Sequence, residues 1–185
     1  MHTQPENCRI GRLSLWKPAF FISILLLMAT SVFAKGPKST TVEMQDAQGK
    51  SIGTATLSSA AQGLKIKLNL QGLPPGEHGI HVHQNATCET PDFKSAGPHF
   101  NPDGKKHGLQ NPDGPHAGDI PNITADAKGK SKSTVIAPNV SLGDDPHSVF
   151  TNGGTALVIH AKADDGKTDP SGNSGDRIAC GVIKK

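Results

Sequence analysis

The sequence predicts an all-β fold in which about eight antiparallel strands form a sandwich or barrel. After residue 34 the chain contains short runs of alternating apolar and polar residues, the pattern of a strand with one buried face. Gly, Pro, Asn and Asp separate these runs, as expected of turns. No long stretch after residue 34 has helical periodicity, so helices between the strands are not expected.

Three strands are predicted first, in TTVEMQD (40–46), SIGTATLSS (51–59) and LKIKLNLQ (64–71). The third alternates most clearly, since Leu64, Ile66, Leu68 and Leu70 share one face. HGIHVHQ (78–84) follows a Pro-Pro-Gly turn and gives another strand. ITADAKGKSKSTVIAP (123–138) predicts a hairpin about Lys128–Gly129–Lys130. The runs TALVIHAKA (155–163) and DRIACGVIKK (176–185) complete the set.

Two long irregular stretches, residues 85–121 and 164–176, interrupt the strands and are rich in Gly, Pro, Asn and Asp. Loops of this length are uncommon in a small domain unless they are functional. We therefore expect them to be functional and to be ordered by an interaction other than apolar burial.

Residues 1–34 are predicted to be a cleaved signal peptide, which leaves residues 35–185 as a single domain. Arg9, Arg12 and Lys17 precede an apolar run that ends in Val32–Phe33–Ala34, a pattern typical of a cleavage site. The alternative is a membrane anchor, but the apolar run is short for crossing a bilayer. Removal of the leader leaves a nearly neutral protein, so the charge does not favour nucleic acid as a partner.

Cys88 and Cys180 are the two cysteines that remain after the leader. In an exported protein an even pair favours a disulfide, and the alternative is two free thiols or thiolate ligands.

Six histidines and one aspartate occur in three parts of the chain and predict a two-metal centre. They are His81, His83, His99, His107, His116, Asp119 and His160. Imidazole suits copper and zinc, and a carboxylate beside imidazoles favours zinc. Taken singly, each histidine is more often an ordinary buried or exposed side chain. Together they exceed what one tetrahedral ion can use, so two ions are expected.

The chain resembles the secreted copper,zinc superoxide dismutases. The strongest matches are GIHVH, SAGPHFNP, HAGD, VIHAKADD and GNSGDRIACGVI, and the resemblance extends over residues 35–185. It implies an eight-stranded Greek-key barrel with two functional loops, one copper and one zinc ion per subunit, and superoxide as the substrate.

The resemblance also implies roles for individual residues. Copper would be bound by His81, His83, His99 and His160, and zinc by His99, His107, His116 and Asp119. His99 would then bridge both ions as an imidazolate. Asp164 would link a copper ligand to a zinc ligand, and Arg177 would attract the anionic substrate beside the copper.

Two other functions stay open on the sequence alone: a non-enzymatic copper- or zinc-binding protein outside the cytosol, and a structural binding module.

HAGDIPN and SGNSGDRIACGVI are more similar to the bacterial secreted class, which favours the periplasm. No membrane association is expected after cleavage of the leader. A homodimer is compatible with the family, but no interface stripe stands out in the sequence. Gln84 and Ala86–Thr87 differ from the usual loop sequence, and none of them is a predicted ligand.

Overall fold

The computed structural model describes residues 39–185, and the predicted signal peptide lies outside the described residues. The strands are β1 (Ser39–Asp46), β2 (Ser51–Ala60), β3 (Gly63–Leu70), β4 (Gly76–His78), β5 (Ile80–His83), β6 (Ile123–Ala125), β7 (Thr134–Ala137), β8 (Thr155–His160) and β9 (Arg177–Ile183). Two single-turn 3-10 helices are found at Lys94–Ala96 and Thr151–Gly153. Among residues 39–185, none of the helices has the length and apolar character needed to span a bilayer.

Seven of the strands form one curled antiparallel sheet in the order β5-β8-β9-β1-β2-β3-β7, while β4 and β6 form a separate pair. The prediction of an antiparallel all-β fold is therefore confirmed. Pairing of β3 with β7 and of β5 with β8 requires long crossover connections. These connections bring β5 and β8, which are distant in sequence, side by side.

The alternation in β3 has the predicted structural meaning. Leu64, Ile66, Leu68 and Leu70 are at most 2% exposed, and the residues between them face solvent. The buried face packs into a large apolar core together with side chains from the other strands. Burial of these side chains is the main favourable contribution to folding of the sheet.

The hairpin predicted for residues 123–138 is wrong, although its turn is correct. Asp126 N–H donates to Lys130 O at 2.8 Å, which closes the turn. The two arms then separate, because β6 pairs with β4 whereas β7 pairs with β3. The strand predicted over 78–84 is also interrupted, at Gly79, which separates β4 from β5 and raises the strand count to nine.

A disulfide joins Cys88 to Cys180, with 5.7 Å between the two Cα atoms, and confirms the predicted pairing. Cys180 is on β9, and Cys88 is in the loop that follows β5. Both pack in a small second core whose fully buried members include Phe93 and Val158. The bond therefore attaches the first long loop to the central sheet.

We expect the double substitution C88A/C180A to lower the free energy of unfolding by about 2–5 kcal/mol, because the crosslink restricts the unfolded chain over a separation of 92 residues. Urea denaturation of both proteins in the absence of reductant measures the difference. An unchanged midpoint would contradict it. Wild type treated with reductant is the matched control and should approach the double variant.

Candidate metal centre

Strand β5 sets the direction of the first two histidines. Ile80 and Val82 point into the large core, so His81 and His83 share the opposite face, as the spacing predicts. All four side chains are fully buried. The histidines are therefore fixed by the same alternation that forms the core.

The loop from His99 to Asp119 runs alongside β5. It places His99 opposite His83 and Asp119 opposite His81. Val82 supplies the backbone contacts: its N–H donates to Gly118 O at 2.9 Å, and its carbonyl accepts from Phe100 N–H at 2.8 Å. A Cβ at Gly118 would lie 2.2 Å from Val82 O, so only glycine permits this approach.

A register shift between β8 and β9 brings His160 and Arg177 together. Ile159 pairs with Ala179, but the next residue, His160, pairs with Arg177 and leaves Ile178 unpaired. Bulges of this kind redirect side chains beside functional sites. Regular strand alternation would not have predicted this pairing, because the extra residue leaves no signal in the apolar pattern.

The first group of ligand atoms comes from four buried histidines, His81, His83, His99 and His160. In each ring, one nitrogen already has a hydrogen-bond partner in the protein. His83 Nδ1 lies 2.8 Å from Gly97 O, His160 Nδ1 lies 3.1 Å from Gly175 O, and His81 Nε2 lies 2.7 Å from Asp164. The other nitrogens converge, with His160 Nε2 3.4 Å from His83 Nε2.

Two nitrogens in this group have no hydrogen-bond partner among residues 39–185. They are His81 Nδ1 and His99 Nε2, and both are buried. A buried polar atom without a partner is costly, and a metal ion would satisfy both nitrogens. This is the observation that most directly fits a metal ion to the first group.

The second group of ligand atoms surrounds Asp119. Its Oδ1 atom lies 2.9 Å from His99 Nδ1, 3.1 Å from His107 Nδ1 and 3.3 Å from His116 Nδ1. Its Oδ2 atom accepts the backbone N–H groups of Gly108 and His116 at 2.8 and 2.9 Å. Three imidazoles and one carboxylate are a donor set typical of zinc. Because His99 presents Nδ1 here and Nε2 to the first group, it belongs to both.

The Asp164 carboxylate contacts one histidine of each group. One oxygen is 2.7 Å from His81 Nε2, and the carboxylate also approaches His107 Nε2 at 3.0 Å. Asn122, for which the sequence carries no motif, holds Asp164 in place. The Asn122 amide donates to Asp164 O and accepts from Asp164 N–H, each at 2.9 Å.

The electrostatics of the site favour metal ligation. Burial lowers the pKa of His81, His99 and His160 to about 4 and that of His83 well below its usual value, so these rings stay neutral. Burial opposes protonation of His107 too, but Asp119 and Asp164 outweigh it and raise its pKa to about 9. The pKa of Asp119 is lowered despite burial, by hydrogen bonds from His107, His116 and His99. A bound dication would displace one proton from His107, and the negative charge that stabilises this proton would stabilise the dication instead.

An open cleft of about 720 Å³ leads to the first group, and His83, His99, His116, His160 and Arg177 line it. The guanidinium of Arg177 is partly buried and donates to the carbonyls of Phe93 and Gly97 at 2.7 and 2.8 Å. It is the only arginine after Arg12, whereas every other cationic side chain in that stretch, histidine aside, is lysine. The use of a single arginine among many lysines indicates a role that lysine cannot fill.

The second long loop packs on the first, and the contacts were not predictable from composition. His107 N–H donates to Asp169 Oδ1 at 2.6 Å, and Gln110 N–H donates to Gly166 O at 3.0 Å. The Asn111 side chain reaches Lys167 O at 3.3 Å.

His78 takes no part in either group, since its ring bridges the carbonyls of Pro74 and His160.

A family model described as copper/zinc superoxide dismutase matches residues 51–183. The chain belongs to this family. It is 50% identical over 161 residues to superoxide dismutase [Cu-Zn] 2 of Aquifex aeolicus, covering 86% of this chain and 94% of the relative. It is 44% identical over 150 residues to the enzyme of Caulobacter vibrioides, covering 79% and 86% of the two chains.

Solved structures of relatives have the same fold. A double mutant of a superoxide dismutase-like protein from Bacillus subtilis gives a TM-score of 0.76 at 42% identity, covering 78% of this chain and 97% of that one. The Cu/Zn superoxide dismutase of Brucella abortus gives 0.64 at 36% identity, covering 79% and 99%. The present chain is thus of the bacterial type. Its function is dismutation of superoxide, with one copper and one zinc ion per subunit.

We expect Gly108→Ala to disturb the packing of the two loops. Gly108 has a φ of +113°, and a Cβ there would lie 2.2 Å from Gly166 O. Gly76 has a φ of +126° with nothing within 4 Å, so Gly76→Ala is the matched control for backbone strain alone. The Gly108 variant should lose about 2 kcal/mol more unfolding free energy than the control. Equal losses in urea denaturation would show that the close approach is unimportant.

Proposed function

We propose that His81, His83, His99 and His160 bind the copper ion and that His99, His107, His116 and Asp119 bind the zinc ion. The observation that carries this assignment is the pair of buried, partnerless nitrogens, His81 Nδ1 and His99 Nε2, in a group of four converging imidazoles. The carboxylate in the second group supports zinc there, because Asp119 is a harder ligand than imidazole.

The chemistry supplied by bound copper is one-electron exchange, which oxidises one superoxide to oxygen and reduces a second, with two protons, to hydrogen peroxide. Zinc has no redox chemistry of its own and serves to order its ligands. The remaining tasks fall to the protein: keeping the rings neutral, fixing their orientation, and drawing an anion into the cleft.

Asp164 and the backbone carbonyls fix ring orientation. Because Gly97 O and Gly175 O face Nδ1 of His83 and His160, these rings carry their proton on Nδ1 and leave Nε2 free to ligate. In His81 the proton is on Nε2, which faces Asp164, and Nδ1 is free to ligate. Nε2 of His99, which has no partner within residues 39–185, can hold either copper or a proton, but not both at once.

Arg177 is proposed to attract superoxide. Its side chain lines the cleft together with His83 and His160, and two backbone carbonyls hold the guanidinium. A permanent positive charge on the wall of the cleft raises the local concentration of a small anion. Non-enzymatic metal binding, the alternative function, would need neither the cleft nor this charge.

We expect His160→Ala to remove copper binding and lower dismutase activity by at least about a hundredfold, since a direct ligand matters more than its hydrogen-bond partners. Zinc content should be retained, because His160 is not in the second group. Metal analysis after dialysis and superoxide decay measure both. His107→Ala is the matched variant and should lose zinc first. Activity that survives in His160→Ala would refute the copper assignment.

Arg177→Ala is predicted to slow superoxide decay by about tenfold at low ionic strength and to flatten its salt dependence. Both metals should stay bound. Arg177→Lys keeps the charge without the paired donors, so we expect an intermediate rate that still falls with added salt. A wild-type salt profile in Arg177→Ala would rule out the steering role.

We propose that the protein acts in the periplasm after removal of residues 1–34. The Cys88–Cys180 disulfide and the bacterial relatives support an extracytoplasmic location, because such bonds persist in oxidising compartments.

Processing has a simple optical consequence. Trp16 is the only tryptophan and the chain has no tyrosine, so the processed protein should absorb very weakly at 280 nm. Protein recovered from the periplasm should also have the mass of residues 35–185. Full-length mass together with the absorbance of one tryptophan would contradict cleavage.

A further inference from the structure

The turn formed by residues 93–97 encloses the Arg177 guanidinium. Phe93 O accepts from Nη1 at 2.7 Å, and Gly97 O accepts from Nη2 at 2.8 Å. Between them lies the single-turn 3-10 helix Lys94–Ala96, flanked by two residues with positive φ, +53° at Phe93 and +75° at Gly97. One short turn thus presents a carbonyl at each of its ends to the two terminal nitrogens of one side chain.

Phe93 is the unusual member of this turn. Among residues 39–185 the non-glycine residues with positive φ are Phe93, Asn152 and Asn173. Asparagine tolerates the left-handed region, whereas a bulky aromatic residue rarely adopts it. Such a conformation persists only when the surrounding structure enforces it, and it often marks a functional position.

The phenyl ring is what enforces the conformation. It is fully buried in the small core with Ala96, Val158 and Cys180, and the disulfide partner Cys88 packs against the same core. The backbone N–H of Phe93 donates to Glu89 O at 3.0 Å. Because the ring cannot turn without breaking this packing, the adjoining carbonyl stays directed at Arg177.

The turn also contacts the metal centre. Gly97 O, which accepts from Arg177, is 2.8 Å from His83 Nδ1 as well. The guanidinium and a proposed copper ligand therefore share one acceptor. Any rotation of the turn would alter the position of the charge relative to His83.

We propose that Phe93 is a positioning residue for Arg177: its buried ring holds a left-handed backbone whose carbonyl fixes the guanidinium towards the cleft. The inference rests on the proposed steering role of Arg177. Phe93 is not among the residues that line the cleft, and it acts only through the arginine.

The test compares Phe93→Ala, which removes the anchor, with Val158→Ala, which removes apolar volume from the same core at a residue of β8. Phe93→Gly removes the anchor and also allows the left-handed backbone without steric cost. Phe93→Leu keeps part of the anchor and serves as the test variant if the smaller substitutions prevent folding. Each is expressed from the full chain and recovered after processing, and metal content and disulfide formation are verified.

Three measurements separate positioning from mere destabilisation. The first, measured in the metal-free protein, is the ¹⁵N signal of Arg177, which is the one arginine of residues 35–185 and whose side-chain signal Arg177→Lys removes. The second is the affinity of the copper- and zinc-loaded protein for azide, a small anionic probe. The third is the salt dependence of superoxide decay.

We expect Phe93→Ala and Phe93→Gly to show a mobile guanidinium, azide affinity weakened about fivefold, and a rate lowered about fivefold with a flatter salt profile. Phe93→Leu should lose about twofold in each. Val158→Ala should be less stable but otherwise like wild type. If the Phe93 variants behave like Val158→Ala while Arg177→Ala is impaired, positioning by Phe93 is wrong. If Arg177→Ala is itself unimpaired, the steering role is wrong and the inference falls with it.

Discussion

The Asp119 carboxylate is the group on which the rest of the site depends. Its Oδ1 atom is shared by the Nδ1 atoms of three histidines, and its Oδ2 atom holds the backbone of the loop that carries them. A carboxylate almost excluded from solvent needs positive charge nearby. That requirement explains both the proton stabilised on His107 and the suitability of the site for a dication.

Two kinds of structure position the ligands, and they differ in rigidity. His81, His83 and His160 project from β5 and β8, neighbouring strands whose opposite faces form the core. His107 and His116 lie in the first long loop, which is held by backbone contacts to β5 and by the second loop. Copper would thus be bound mainly by the sheet, and zinc mainly by a segment that its own binding helps to order.

Much of this arrangement could be read from the sequence, because alternation and ligand chemistry are local properties. The face shared by His81 and His83 follows from strand geometry, and the seven residues predicted as ligands lie in two groups that could each hold a metal ion. The separation of β6 from β7 was not predictable, since the turn at Lys128–Gly129–Lys130 looks the same whether its arms pair or diverge. The β8–β9 register shift and the support from Asn122 and Asp169 likewise arise only from tertiary contacts.

The burial of His107 has a consequence for how readily the second group would release an ion. His83, His99, His116 and His160 line the cleft, whereas His107 is fully buried and its backbone N–H donates to Asp169 in the overlying loop. An ion held by His107 could leave that ligand only if the contact between the two loops loosened. The second loop, which supplies no residue to either of the two groups, would in this way slow the loss of an ion from one of them.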